Sequence, residues 1–258
     1  MASIRDLAKL VRWTPLHPQW LLGQRRVPTG IASATGIVLD IGAADRWITP
    51  HLSRDTTYVA LDYPATGNEF YDARPDVFGD ASRLPFGDSS VDNVVCLEVI
   101  EHLRDPASAL SEIRRVLKPD GRAWISIPFM YPIHNEPYDF QRFTEYGLRR
   151  EAARARLEIL DLEHSGQAVR AAGLMMCLAL AGGVNEAHPL AKILLLPLAL
   201  SGILVVNSAA WLASLFWPDW KNLATNYHLV LRIADATAIS HAGPPQCETS
   251  ANPDSGTH

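Results

Sequence analysis

The segment Gly36-Ile-Val-Leu-Asp40, followed directly by Ile41-Gly42-Ala43-Ala44-Asp45, decides the fold of this chain. Three aliphatic residues before an aspartate, with a glycine two positions later, are typical of a buried parallel strand that ends in a tight turn. The pattern returns in Tyr58-Val-Ala-Leu-Asp62. Further segments have strand patterns, at 76–80, 91–97, 122–127, 157–162 and 227–233.

Helical patterns separate these strands. In the clearest one, Asp105 is suited to cap the first turn and Pro106 to occupy the first helical position. The alternation predicts an α/β fold, a Rossmann-like seven-stranded, mostly parallel sheet with helices on both faces. Ligands of such sheets bind beyond the carboxyl ends of the strands. The residues that fall there are Asp40, Asp62, Asp80 and Leu97.

The loop after the first strand indicates the kind of ligand. A dinucleotide-binding loop would read G-x-G-x-x-G, but this chain has Gly42-Ala-Ala-Asp-Arg-Trp47. Asp45 would also repel a pyrophosphate, which disfavours a nicotinamide-dependent oxidoreductase. A ligand with an ammonium group, such as the methionine part of S-adenosylmethionine, suits Asp40 and Asp45 better. Asp62, at the end of the next strand, can accept hydrogen bonds from both hydroxyls of a ribose.

The chain resembles class I S-adenosylmethionine-dependent methyltransferases, and in particular their type 11 group. The resemblance covers about residues 36–165 and rests on five motifs in order, Val38–Gly42, Val59–Asp62, Gly79–Phe86, Val91–His102 and Glu112–Gly121. It implies that S-adenosylmethionine is the cofactor and that the chain is a methyltransferase.

The resemblance also implies roles for individual residues. Asp40 and Gly42 would border the methionine end of the cofactor, in a loop that includes Ala44, and Asp62 would hold the ribose. Tyr63 would lie against the adenine, Asp80 and Ala81 would recognise its amino edge, and Cys96 and Leu97 would line the floor below the sulfonium. The sequence departs from the family where Ala44 and Arg46 replace glycines of the first loop. It also departs where Pro64, Gly67 and Pro75 interrupt the next helix.

Candidate catalytic residues lie after the fourth strand, in Glu98-x-x-Glu101-His102. Two interpretations stay open for this cluster. His102 can act as a general base near the acceptor, since its ordinary pKa suits proton removal near neutrality. Alternatively, the two carboxylates and the imidazole can ligate a divalent metal with His134 as a fourth group. We assign His102 and His134 as catalytic residues and expect no metal.

The loop 131–144 after the fifth strand is the candidate acceptor-binding loop. It combines aromatic, acidic, histidine and arginine side chains at the carboxyl edge of the sheet, where loops carry function. His134, Tyr138 and Arg142 are its predicted substrate-binding residues. A purely structural loop is the alternative.

An apolar insertion, 168–222, separates the last two strands. Ile193–Trp217 contains no charged residue, and Ala171–Val184 is a second apolar run. At 1.5 Å per residue the longer run reaches about 37 Å, enough to span a bilayer. The chain must return to the same sheet, which favours a helical hairpin that lies on a membrane, re-enters it or covers the active site. Membrane contact would be made through 171–220. A buried helical cap and a dimer surface are the alternatives.

Composition limits the remaining classes. The net charge of −5 disfavours a nucleic-acid partner. Three cysteines without metal-like spacing, and no secretory signal pattern, favour a cytoplasmic protein, either free or at the inner face of a membrane. We expect an N-terminal helix and arm at 1–35, a methyltransferase domain at 36–235 and a disordered tail at 236–258.

The sequence therefore predicts methyl transfer from S-adenosylmethionine to an oxygen or nitrogen of a small or lipid-like acceptor. The alternative function is a membrane-associated binding or scaffold protein that keeps the fold without turnover. The oligomeric state stays open.

Overall fold

The computed structural model describes residues 11–65 and 74–235, and the statements below refer to these. One seven-stranded sheet has the order β3-β2-β1-β4-β5-β7-β6, in which only β7 runs antiparallel to its neighbours. The strands are β1 Gly36–Ile41, β2 Thr56–Asp62, β3 Val77–Phe78, β4 Val91–Leu97, β5 Leu117–Pro128, β6 Leu157–Ser165 and β7 Asn226–Ile233. The predicted fold class is confirmed.

Four α-helices accompany the sheet: α1 Pro106–Val116, α2 Glu145–Arg154, α3 Ala168–Glu186 and α4 Pro189–Ala213. Asp105 caps α1 as predicted, because its Oδ1 accepts a hydrogen bond of 3.0 Å from the backbone N–H of Ser108. The predicted third strand at 76–80 is shorter, Val77–Phe78. The fifth begins earlier than predicted, at Leu117, which pairs with Val91 before a register shift.

Alternation along the strands creates a core on each face of the sheet. On one face, Leu39 and Ile41 pack with Ile113 of α1. On the other, Val38 packs with Trp124 of β5 and with Ile31, from a short 3-10 helix in the N-terminal arm.

Strand register brings the candidate cofactor residues together. Asp40 pairs with Ala60 of β2 and with Val95 of β4, so these three strands end at nearly the same level. The chain order reverses between β1 and β4, which opens a crevice at their carboxyl ends. Gly42, Asp62 and Leu97 therefore lie at one edge of the sheet, as the sequence predicts.

The described part of the N-terminal segment, 11–35, packs across the sheet and the insertion. Trp124 Nε1 donates a hydrogen bond of 2.9 Å to the carbonyl of Thr29. Trp20 stacks at a tilt on Trp211 of α4, with ring centroids 6.4 Å apart. Most of the predicted N-terminal helix, including residues 4–10, and the tail at 236–258 lie outside the described residues.

The insertion forms an antiparallel helical hairpin of α3 and α4, and the chain returns to the sheet in β7 as expected. The two helices approach closely: a Cβ added to Gly173 would lie 2.6 Å from the Cβ of Ala210. Both helices have the length and apolar composition needed to cross a membrane, and only 11% of the most apolar part of α4 is buried. The hairpin thus presents apolar side chains outward rather than to the sheet.

Candidate cofactor and acceptor site

A cavity of about 1450 Å³ opens at the carboxyl ends of β1, β2 and β4. Small-ligand pockets typically measure about 300–1,000 Å³, so this cavity has room for two ligands side by side. Predicted site residues that line it are Gly42, Ala44, Asp62, Tyr63, Asp80, Ala81, Leu97, His102 and Tyr138.

The turn after β1 depends on Gly42 for two separate reasons. Its φ is +72°, in the left-handed region, and an added Cβ would lie 2.3 Å from Cγ2 of Val99. Ala44 and Arg46, which replace glycines of the resembled family, also have positive φ, 43° and 54°. The backbone at Ala44 and Arg46 thus keeps the left-handed conformation that glycine favours, although both residues carry side chains.

Asp62 presents a fixed carboxylate to the cavity. Its Oδ2 accepts a hydrogen bond of 3.0 Å from the N–H of Ala44, and its Oδ1 accepts one of 2.8 Å from the N–H of Tyr63. Burial raises the pKa of Asp62, and the two backbone hydrogen bonds oppose that rise. Each oxygen retains a further lone pair, so the carboxylate can accept both hydroxyls of a ribose.

Asp40 is buried under the loop and does not line the cavity. Its Oδ2 accepts a hydrogen bond of 2.6 Å from the Tyr58 hydroxyl. Burial raises the pKa of Asp40 to about 7, against the effect of that hydrogen bond. Asp45, which does line the cavity, pairs with Arg25 of the arm at 2.9 Å.

The remaining predicted cofactor residues differ in accessibility. Tyr63 is half exposed, which leaves its ring free to lie against a planar base. Asp80 is held by the N–H of Ser82, which donates to its Oδ1 at 2.8 Å. Cys96 is completely buried in the sheet core and does not line the cavity, whereas its neighbour Leu97 does.

The predicted catalytic cluster forms around Glu101, in the short 3-10 helix Ile100–His102. Glu101 is fully buried, and its Oε1 lies 3.6 Å from Nε2 of His102 and 3.9 Å from Nε2 of His134. Burial, together with the nearby Glu98 carboxylate, raises the pKa of Glu101 well above its usual range. Burial lowers the pKa of His102, so this imidazole is neutral near neutral pH.

Glu98 closes the other side of this cluster. Its Oε1 accepts hydrogen bonds of 2.6 Å from the Ser126 hydroxyl and 3.0 Å from the Asn226 amide. Glu98 has a φ of 56°, which turns the chain sharply after β4. The three residues line the cavity wall between β4, β5 and β7.

The loop 131–144 is docked on the same turn. The Gln141 amide donates hydrogen bonds to the carbonyls of Ile100 and Leu103, at 2.9 and 2.7 Å. Arg142 does not line the cavity; its Nη2 donates to Asp139 Oδ2 at 2.7 Å and to the carbonyl of Pro132 at 3.2 Å. Arg142 therefore holds the loop closed, and its predicted contact with substrate stays a prediction.

Part of the chain is similar in sequence to a known protein family. Residues 39–125 match the family model described as a methyltransferase domain, of the type 11 group. The match covers about a third of the chain and runs from β1 into β5.

Curated relatives agree over short segments. The biotin biosynthesis bifunctional protein BioHC of Cellvibrio japonicus is 38% identical over 95 residues, 34% of this chain and 19% of that protein. A demethylmenaquinone methyltransferase of Renibacterium salmoninarum is 32% identical over 120 residues, 43% of this chain and 48% of that protein. The matched segments thus span less than half the length of these relatives.

A solved structure supports the fold of the methyltransferase domain. The "putative sarcosine dimethylglycine methyltransferase" of Galdieria sulphuraria superposes with a TM-score of 0.50 at 17% identity, covering 84% of this chain and 85% of that chain. At this identity the likeness establishes the fold alone.

Several residues that line the cavity were not predicted from the sequence. Arg12, Trp13 and the arm segment 22–27 line the cavity, as do Ser126, Asn226 and His228. Burial lowers the pKa of His228 to about 4. The arm has no motif, and Asn226 lies far along the chain from the cluster it serves, so only the position of Ser126 near the end of β5 gave a signal.

Proposed function

We propose that this protein transfers a methyl group from S-adenosylmethionine to an oxygen or nitrogen of a lipid-like acceptor. One observation carries the cofactor assignment: the Asp62 carboxylate, fixed by two backbone N–H groups at the end of β2, faces a cavity with room for a nucleoside and a second ligand. The family match at 39–125 spans β1, β2 and β4, the strands that form this edge.

The cofactor residues divide along the cavity. We assign Asp62 to the ribose, and Tyr63, Asp80 and Ala81 to the adenine. Gly42 and Ala44 border the methionine end, where Asp45 balances the ammonium group. Bound there, S-adenosylmethionine supplies a methyl group that its sulfonium already activates, so the protein acts mainly by aligning the acceptor.

The acceptor end of the cavity lies toward the histidine cluster and the arm. His102 and Tyr138 line the cavity, as do Trp13 and Leu22 of the arm. His102 and His134 stay the predicted catalytic residues, of which His102 reaches the cavity wall. The aromatic and aliphatic arm residues suit an apolar acceptor.

The helical hairpin supports a lipid-like acceptor and contact with a lipid bilayer. Leu190, Ile193, Leu194 and Leu198 are each about 70% exposed along α4, which has no charged residue after Lys192. The arm lies between the base of the hairpin and the cavity, because Leu21 packs against Leu174 and Ala210 while Leu22 lines the cavity. Ala210 is near the end of α4, and Leu190–Leu198 are near its start. An acceptor dissolved in a bilayer would then enter beside the arm.

Calorimetry on the full-length protein tests the cofactor assignment. We expect S-adenosylmethionine to bind and NAD not to bind. Asp62→Ala should weaken the affinity for S-adenosylmethionine by at least about 100-fold, since two hydrogen bonds to a charged group are lost at about 1.5–3 kcal/mol each. Asp161→Ala, at an exposed position on β6, is the matched control and should leave affinity unchanged. Unaltered binding in Asp62→Ala would disprove the ribose assignment, and binding of neither ligand would favour a scaffold protein.

Flotation with phosphatidylcholine and phosphatidylglycerol vesicles tests the membrane contact. The wild-type protein should float with the vesicles, whereas a variant with Gln at 190, 193, 194 and 198 should stay in the soluble fraction. Replacing Tyr146 and Leu160, exposed outside the hairpin, by Gln is the control and should not prevent flotation. A wild-type protein that stays soluble, as a monomer or a dimer, would contradict membrane contact.

Methyl transfer itself is measured with tritiated S-adenosylmethionine and a bacterial lipid extract. We expect label in the organic phase that depends on the protein and is lost in Asp62→Ala. Label that appears only in water-soluble products would contradict the lipid-like acceptor while leaving the cofactor assignment intact.

A further inference from the structure

Glu101 is a buried carboxylate that makes no hydrogen bond within the part of the chain that the structure describes. Among the described residues, neither of its oxygens has a hydrogen-bond partner, and the residue has no solvent exposure. An ionised carboxylate taken out of water costs several kcal/mol unless a cation or a set of donors compensates it. An ionised Glu101 therefore requires a compensating cation or set of donors.

Two histidines turn their Nε2 atoms toward this carboxylate. His102 Nε2 lies 3.6 Å from Oε1, and His134 Nε2 lies 3.9 Å from the same oxygen. Both distances are too long for a hydrogen bond. The ligand atoms of Glu101, His102 and His134 all lie within 4.8 Å of one another.

The opposite ring nitrogens fix which atoms carry protons. His102 Nδ1 lies 2.9 Å from the carbonyl oxygen of Tyr138, which can only accept, so this nitrogen is the donor. His134 Nδ1 lies 3.3 Å from the carbonyl oxygen of Pro132, which can only accept, and 3.1 Å from Asp139 Oδ2. The Arg142 guanidinium is farther away, at 3.4 Å, so we assign this nitrogen as the donor. In neutral imidazoles this arrangement leaves both Nε2 lone pairs directed at Glu101.

These lone pairs and the carboxylate repel one another unless a proton or a cation lies between them, and distances of 3.6 and 3.9 Å are too long for a shared proton. We propose that Glu101, His102 and His134 bind a divalent transition-metal ion. Two nitrogens and one carboxylate, with each Nδ1–H held by a carbonyl or a carboxylate, form a donor set typical of Zn²⁺ and its neighbours.

Ligands of a tetrahedral ion that each lie about 2.1 Å from the metal are about 3.4 Å apart. The three side chains, now within 4.8 Å of one another, would therefore close by up to about 1.4 Å on binding an ion. The carboxylates that act on the cluster are those of Glu98, Glu101 and Asp139, against the single guanidinium of Arg142. A divalent ion would balance the two excess negative charges that the cluster has when all three carboxylates are ionised.

The fourth position of the ion would face the cavity, because His102 lines its wall. A three-ligand site with an open position is the arrangement of metals that bind a substrate oxygen. Binding of an acceptor oxygen there rests on the proposed function, whereas binding of the ion does not. The ion would occupy the lone pairs of both histidines, so neither ring would then be the general base.

Metal titration of the full-length protein tests the site. After dialysis against a chelator, the wild-type protein should bind one Zn²⁺ per chain in competition with a chromophoric chelator, and Co²⁺ should give visible d–d absorption. Glu101→Gln, which keeps the shape of the side chain, should weaken Zn²⁺ binding at least 100-fold and remove the Co²⁺ absorption. His164→Gln is the matched control, since His164 pairs with Glu145 at 3.1 Å outside the cluster, and it should bind metal as the wild type does.

Thermal unfolding and S-adenosylmethionine calorimetry of Glu101→Gln show whether the variant is folded. If it unfolds early, His134→Gln, at the rim of the cluster, provides the same test. Wild-type protein that takes up no metal, or variants that bind it as tightly as the wild type, would overturn the proposal. Loss of metal with retained cofactor binding separates this site from the proposed function, as does metal binding by a protein that binds no cofactor.

Discussion

Strand β4 and helix α4 are both apolar runs, but they use their side chains in opposite ways. In β4, Val94, Val95 and Cys96 are completely buried between β1 and β5. In α4, Leu194 and Leu198 are about 70% exposed. The buried residues through which this helix packs against the protein are Ala199, Ile203, Asn207 and Ala210. Composition alone shows only that both runs are apolar.

The difference shows that burial is set by what surrounds a run rather than by its hydropathy. A strand in the middle of a parallel sheet is covered on both faces, so its side chains are enclosed by the domain itself. A helix that is apolar all round and uncovered requires a partner outside the domain. Substitutions in the two regions should therefore change the free energy of unfolding by different amounts.

The largest effect is expected at the turn that ends β1. Gly42→Ala places a Cβ 2.3 Å from Val99 Cγ2 at a φ of +72°. Overpacking costs about 1–3 kcal/mol and a left-handed residue about 1–2 kcal/mol, so we expect the free energy of unfolding to fall by about 4 kcal/mol. Denaturant unfolding measures it.

A second substitution separates the two causes. Val99→Ala combined with Gly42→Ala removes the atom that the new Cβ meets but keeps the positive φ. The double variant should recover about 2 kcal/mol relative to Gly42→Ala alone. No recovery would mean that the clash with Val99 does not determine the identity of residue 42.

Asp40, beneath the same turn, should make stability depend on pH. Its pKa is raised to about 7 in the folded protein and lies near 3.9 in an unfolded chain, so its contribution is full below about pH 4 and is lost as pH rises through 7. Asp40→Asn should remove this dependence and raise the stability at pH 8 by about 4 kcal/mol. Asp161→Asn, on the exposed edge of the sheet, is the control. Parallel pH profiles for wild type and Asp40→Asn would contradict the expectation.

The residues at the carboxyl edge of the sheet could be predicted from the sequence because each lies directly at the end of an apolar strand. Asp62 and Leu97 each end an apolar run, and parallel strands bring such ends together whatever the rest of the chain does. The hairpin could be predicted as well, because a run of 25 residues without charge requires an apolar environment. Its direction of exposure required the structure.

Contacts between distant parts of the chain could not be predicted. The arm lines the cavity through residues without a motif, and Asn226 reaches Glu98 across β5. Asp40 has the same sequence context as Asp62, yet Tyr58 on the neighbouring strand covers it. Sequence spacing fixes which strand end a residue occupies, but a side chain from another element decides whether that residue meets the ligand.

Asn207 is expected to show an intermediate effect, because it is the polar attachment between hairpin and arm. It is fully buried, and its Nδ2 donates to the carbonyls of Pro15 and His17 at 2.7 and 3.0 Å. Asn207→Leu leaves both carbonyls without this donor and should lower the free energy of unfolding by about 2 kcal/mol. Ser201→Ala, whose hydroxyl bonds only within its own helix, should change it little. A loss below about 0.5 kcal/mol in Asn207→Leu would mean that the arm is held by apolar packing alone.

The smallest effect on folding is expected at Leu194, on the outer face of α4. The side chain is 72% exposed, so Leu194→Ala in detergent solution should change the free energy of unfolding by less than about 0.5 kcal/mol. The same substitution at Leu174, which is fully buried in α3, should cost about 3 kcal/mol because it leaves a cavity. Equal losses at the two positions would mean that α4 is covered in solution by another copy of the chain. A loss at Leu174 alone, together with weaker flotation of Leu194→Ala, would show that the outer face of α4 acts on a membrane and not on the fold.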